Sequence, residues 1–227
     1  MTVKQRVFRV ALALFDLDNT LLGGDSDYLW GRFLVEQGLV DGERYERENQ
    51  RFYAQYRAGT LDIREFLRFA LQPLASHDIA TLHAWRAQYL KDKIAPILLP
   101  AAHALVEKHR AQGDTLLIIT ATNRFVTEPI AALFGIDHLL ATEPEMIDGR
   151  YTGEVSGVPC YREGKVRRLE TWLAEHAVDR SESWFYSDSH NDIPLLERVT
   201  HPVAVDPDDT LRQLAVGKGW PVISLRE

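Results

Sequence analysis

The chain has 227 residues, 45% of them apolar and 26% charged, with a formal net charge of -7. That is the composition of an ordinary globular protein long enough to bury a full core, and its acidic balance excludes a general basic footprint for nucleic acid or an anionic membrane. A single cysteine, Cys160, excludes an intrachain disulfide and a cysteine-built metal centre, and suits a reducing cytoplasm.

The opening "MTVKQRVFRVALALFD" sets basic residues before an apolar stretch, but Arg9 interrupts it and Asp16 ends it. The run is too short for an export signal or a membrane span. "VALALF" (Val10 to Phe15) instead predicts a strand buried on both faces, as in parallel sheets. From about Gly24 to Lys93 the rhythm becomes helical: Leu29, Phe33 and Leu34, then Phe52, Tyr53 and Tyr56, then Phe66, Leu67 and Ala70, then Leu82, Trp85 and Tyr89. This predicts about four helices without a strand. The aromatic residues Tyr28, Trp30, Phe52, Trp85 and Tyr89 suit packing between those helices, with a ligand pocket as the other reading.

Beyond position 95 strands and helices alternate. Helices are expected over Ala101–Gln112, Phe125–Leu133, Lys165–His176 and roughly Asp192–Arg198, and strands at "LLIIT" (116–120), "SWFYS" (183–187), "PVAV" (202–205) and "PVISL" (221–225). Asp148-Gly149, inside "EMIDGRYTGEV", signals a type I′ hairpin. The whole predicts an α/β chain, a Rossmann-like open parallel sheet with an all-helical insertion after the first strand. The expected division is a core over 1–23 and 96–227 and a helical unit over 24–95.

Ligands of an open parallel sheet bind beyond the carboxyl ends of its strands. Asp16, Thr120 and Asp188 each stand at such an end, and Asp192 follows Asp188 by four positions. Carboxylates converging in one crevice need a countercharge, and hard oxygen ligands suit Mg²⁺, which takes one or two carboxylates, water and substrate oxygens. "REGKVRRLETWL" offers a fixed cation, with Lys165 at the start of a helix and Arg162, Arg167 and Arg168 as competitors. Asp16 and Asp18 would face the same side if the strand continued past Asp16.

The D-x-D-x-T of Asp16, Asp18 and Thr20, a strand ending in Thr120, then Lys165, then the D-x-x-x-D of Asp188 and Asp192 resemble the four motifs of the haloacid dehalogenase (HAD) superfamily. They occur in order from about position 10 to 198, and the helical insertion resembles the type 1 cap of the branch containing phosphoserine phosphatase. The resemblance implies a phosphomonoester hydrolase in which Asp16 is the nucleophile and forms an aspartyl-phosphate. Asp18 would serve as acid and then base. Mg²⁺ would be held by the Asp16 carboxylate, the Asp18 main-chain carbonyl and Asp188. Thr120 and Lys165 would bind phosphoryl oxygens, with Asp192 orienting Lys165 or a metal-bound water.

Departures from the branch bear on substrate. Phosphoserine phosphatases carry a glutamate nine positions after the nucleophile, where this chain has Asp25, one methylene shorter. "TATNRF" replaces a glycine-rich second motif and introduces Arg124, which suits either a substrate anion or a surface acid. "FDLDNTLLGGDSD" and "SDSHNDIPLL" are more similar to subfamily IB hydrolases, some assigned as histidinol-phosphatases. A small amine-bearing phosphate ester would suit Asp25 and Asp27, while His190 reads as a turn residue. A phosphomutase or phosphotransferase with the same site, or a non-catalytic phosphate-binding relative, are the alternatives. No nucleic-acid or membrane partner is expected, and hinges are expected near Gly23-Gly24 and from Ile94 to Pro96.

Overall fold

A computed structural model describes residues 11–176, 178 and 181–226. Val10 and the basic segment before it, with which the predicted first strand begins, lie outside the described residues. Strand β1 (Leu12–Phe15) is buried along its whole length. Leu12 and Leu14 enter one apolar cluster and Ala13 and Phe15 another, so a run of four apolar residues serves two core layers by alternation alone.

The other strands are β2 (Thr115–Asn123), β3 (His138–Ile147), β4 (Arg150–Ser156), β5 (Ser183–Ser187), β6 (His201–Val205) and β7 (Val222–Ile223). They form one seven-stranded sheet in the order β4-β3-β2-β1-β5-β6-β7. Every pairing is parallel except β3 with β4. Phe15 at the end of β1 stands opposite Ile118 of β2 on one side and Tyr186 of β5 on the other. β1 is thus central, and its carboxyl end is flanked by those of β2 and β5.

Helices α1 (Ser26–Glu36), α2 (Gly42–Ala58), α3 (Ile63–Ala75) and α4 (Ile79–Tyr89) fill the chain between β1 and β2. Each begins on an aspartate whose carboxylate accepts a backbone N–H of the first turn: Asp25 from Tyr28, Asp41 from Arg44, Asp62 from Arg64 and Glu65, Asp78 from Thr81. Such caps contribute about 1 kcal/mol each. Trp30, Phe33, Leu67 and Tyr89 share a buried cluster with Phe15 and Ile118 of the sheet. The two chain crossings are knitted together, since Leu22 bridges Leu98 in antiparallel fashion and the Gly23 N–H donates to the Ile97 carbonyl at 2.8 Å.

α5 (Pro100–Gln112), α6 (Arg124–Leu133), α7 (Glu163–His176), α8 (Ile193–Leu196) and α9 (Asp209–Lys218) complete the fold. Several expected boundaries shift. The helix expected over 192–198 is a 3₁₀ turn at His190–Asp192 followed by the four-residue α8, with Pro194 in its first turn. The final strand shrinks to Val222–Ile223. The sequence reading did not anticipate α9, nor that "HLLATEPEMI" is a full strand, buried where it pairs with β2 and exposed beyond. The predicted hairpin turn is present, with Asp148 at φ 50° and Gly149 at φ 75°. The hairpin reaches the inserted helices: a Cβ on Gly153 of β4 would lie 3.4 Å from that of Ala75 on α3.

Candidate active site

The Asp16 N–H extends the β1–β5 ladder by donating to the Tyr186 carbonyl at 2.9 Å, and there the strand stops. Leu17–Leu21 form a wide turn with both leucines fully buried, and Asn19 occupies the left-handed region at φ 57°, which asparagine tolerates. The expectation that Asp18 rides on a continuing strand is therefore corrected. Asp18 is presented by a turn anchored on two leucines, although its own backbone stays extended.

The Lys165 ammonium, buried near the start of α7, donates to Asp16 Oδ1 at 2.7 Å and Asp192 Oδ2 at 2.8 Å. Ser187 donates to the same Asp192 oxygen at 2.7 Å. The Thr20 hydroxyl accepts the Asp188 N–H at 3.1 Å and shares its proton between Asp188 Oδ1 at 3.2 Å and Asp16 Oδ2 at 3.5 Å. Asp16 and Asp188 thus crowd one hydroxyl from two strand ends. Asp18 stands on the opposite side of the crevice. Its Oδ1 accepts the Ser26 N–H at 2.6 Å, and its Oδ2 accepts the hydroxyls of Thr122 at 2.8 Å and Thr120 at 3.3 Å.

Burial pushes the Asp16 carboxyl up to about 7, against the pull of Lys165 and with the help of Asp192 and Asp18. Asp188 is raised well above the carboxylate range by burial, then by Asp16 and Asp192. Burial disfavours the Lys165 ammonium, but Asp16 and Asp192 more than offset it and hold the proton more firmly than usual. The floor therefore carries more carboxylate than its one ammonium can neutralise.

The inserted helices roof this floor. One pocket is lined by Asp16, Asp18, Thr120, Lys165 and Asp192 below, and by Asp25, Asp27 and the rings of Tyr28, Phe52, Tyr56 and Phe66 above. Burial, then Asp18 and Asp27, raises Asp25 to about 8. Burial and Asp18 raise Asp27 to about 7, with Asn123 Nδ2 donating to it at 3.5 Å. Arg124, a candidate substrate residue in the sequence, is not brought here. Its guanidinium is held by Glu143 at 2.8 and 3.0 Å and by the Leu139 carbonyl at 2.8 Å. His190 is likewise engaged elsewhere, on Asp208 at 2.8 Å.

Several residues that the sequence reading passed over complete the site. Thr122 and Ser187 fix two of the acids. Asn191 Oδ1 accepts from Tyr161 and from Arg162 Nε, each at 2.9 Å, and Arg162 continues to the Gly59 carbonyl at the end of α2, also at 2.9 Å. With Tyr56 donating to Ser189 at 3.0 Å, these contacts stitch α2 to the floor. Arg162 is the exception among them: the sequence offers it as a rival to Lys165 for the fixed cation, and the structure uses it instead to tie Asn191 to the end of α2.

The model of haloacid dehalogenase-like hydrolases matches residues 13–197. A histidinol-phosphatase of Neisseria meningitidis serogroup C (strain 8013) is 44% identical over 219 residues, covering 95% of this chain and 99% of that one. Among solved structures, a protein of unknown function from Bordetella pertussis Tohama I superposes with a TM-score of 0.90 at 47% identity, covering 95% and 99% of the two chains. A substrate-bound phosphoserine phosphatase superposes at 0.71 with 17% identity, covering 96% and 95%, a likeness of fold. The chain belongs to the haloacid dehalogenase-like hydrolase family, as one of its phosphatases.

Proposed function

We propose that the chain is a Mg²⁺-dependent phosphomonoesterase acting on a small amine-bearing ester, with histidinol phosphate as the first substrate to test. Helices α1–α4, over 24–95, are read as a cap on a core of 1–23 and 96–227. The observation that carries the reading is the Lys165 bridge between Asp16 and Asp192, which leaves Asp18 opposite as a separate carboxylate on the pocket side.

Asp16, oriented by Lys165, attacks phosphorus in line and becomes an aspartyl-phosphate as the alcohol leaves. Asp18 supplies the proton to the leaving oxygen and then removes one from water. Lys165 and Thr120 balance charge on the non-transferring oxygens, and Asp192 holds the ammonium in place. The donor set fits Mg²⁺. Among the described residues no three His, Cys, Asp or Glu side chains form a closed cage, but an ion that takes one or two carboxylates and otherwise water and phosphate oxygens needs none. Asp16, Asp188 and the Asp18 carbonyl would hold it, and when bound it supplies charge neutralisation at the phosphate. The free, buried Cys160 suits a reducing cytoplasm.

Release of inorganic phosphate from histidinol phosphate with Mg²⁺, abolished by chelation and lowered at least about 1,000-fold in kcat by Asp16→Asn, is the expected result. Full activity in that variant overturns the nucleophile. Transfer of the phosphate to an acceptor without net release would instead make the chain a mutase or transferase.

A further inference from the structure

Asn49, in the middle of α2, is more than nine-tenths buried and lines the pocket, yet its Nδ2 donates to no partner among the described residues. Buried amide donors in folded proteins are almost always satisfied, and a bare one costs free energy unless something else arrives to accept from it. Asn49 shares its helix face with Phe52 and Tyr56, and Tyr56 touches Ser189 of the floor. At about 1.5 Å of rise per residue, Asn49 lies two turns and roughly 10 Å along the helix axis from Tyr56. Asn49 thus lines the same pocket as Asp16 and Lys165, on a wall it shares with Asp25, Asp27, Phe52 and Phe66, where the alcohol of a phosphate ester seated at Asp16 and Lys165 would extend.

We propose that Asn49 is the specificity-determining residue of the cap, donating through Nδ2 to a lone pair on a planar nitrogen heterocycle at the distal end of the substrate. The proposal rests on the phosphatase reading and narrows it. Asp27 on α1 and its capping residue Asp25 recognise the amine, Phe52 and Phe66, which pack edge to face at 5.3 Å, offer an apolar wall to the heterocycle, and the amide selects for an acceptor atom on its edge. A site built around an otherwise unpaired donor rejects analogues that lack the acceptor, because they leave the donor buried and bare.

The test compares kcat/KM for histidinol phosphate with kcat/KM for phosphoethanolamine, which keeps amine and phosphate but has no ring. The ratio exceeds about 10 in the wild type and falls by about 10–100-fold in Asn49→Leu, which removes the donor at similar size, and in Asn49→Asp, which turns it into an acceptor. Asn49→Leu also melts no lower than the wild type, since it removes an unpaired buried group; should it fail to fold, Asn49→Asp carries the comparison. An unchanged ratio in a folded variant, or equal losses on both esters, overturns the assignment. A wild type that hydrolyses phosphoethanolamine as well as histidinol phosphate overturns it while leaving the phosphatase intact. A wild type that releases phosphate from neither ester, nor from a wider panel, overturns the phosphatase reading itself.

Discussion

The floor and the roof of the pocket are built on opposite rules. On the floor the side-chain oxygens are already engaged: Lys165 spans Asp16 and Asp192, Thr20 joins Asp16 to Asp188, and two threonines and a backbone N–H hold Asp18. On the roof the surface is mostly ring and methylene, the acids Asp25 and Asp27 are pushed towards neutrality as Asp16 and Asp188 are below, and the Asn49 Nδ2 donates to no partner among the described residues. A pre-satisfied network fixes geometry for one reaction, whereas a dry wall with a few polar groups left open discriminates among alcohols. In the proposed function, chemistry would fall to the sheet and selection to the inserted helices.

The contrast breaks most sharply at Lys165. Lys165→Met leaves two buried carboxylates facing each other without a counterion. Phosphate-release assays should show kcat lower by about 100–1,000-fold, and urea unfolding a loss of about 3–5 kcal/mol.

A smaller effect, shared by roof and floor, is read through pH. Asp16 and Asp27 at about 7, Asp25 at about 8 and Asp188 well above its usual range all bind protons more tightly in the folded chain than in an unfolded one, where carboxyls titrate near about 4. Between about pH 4 and 8 the folded state thus carries more protons, and these groups make stability fall as pH rises through that window. Metal-free melts should show Tm dropping from pH 5 to 8, Mg²⁺ should restore more at pH 8 than at pH 5, and Asp25→Asn should recover about 2–4 °C at pH 8. A flat metal-free profile would contradict the raised carboxyls.

The mildest test compares two arginines. Arg162→Ala removes the tie between Asn191 and Gly59, and steady-state kinetics should show KM higher by about 2–10-fold. Arg124→Ala, clear of the pocket, should change kcat/KM by less than about twofold.

What the sequence revealed follows the same division. Asp16 and Asp188 were legible because they follow apolar runs, and a strand end is a local signal, whereas the strand expected to end at Thr120 runs on to Asn123 and places Thr120 inside it. β1, β2 and β5 could be read from "VALALF", "LLIIT" and "SWFYS" because strands buried on both faces leave apolar runs. β3 escaped because its second half is acidic, exposed and interrupted by Pro144. Asn49 escaped for a related reason: within "GERYERENQRFYAQYRA" it looks like one more solvated polar residue, and only the closure of α2 over the sheet buries it. Asp25 carries, besides the substrate role its position suggests, the capping of α1, a task the sequence does not mark, since one carboxylate oxygen serves the helix while the group lines the pocket. Arg124 was ambiguous because its partner Glu143 lies on the strand that the sequence concealed.

The hydrogen bond from the Ser26 N–H to Asp18 has a mechanical meaning. Ser26 is the first residue of α1, only three positions beyond the knitted crossing at Gly23. If the inserted helices are the proposed cap, two adjacent, mutually bonded crossings would serve it as a hinge with one favoured axis. Because α1 carries that N–H, any such swing changes how many donors Asp18 has. The acid would thereby be wired to the position of the door, giving the pocket a way to register that it is shut.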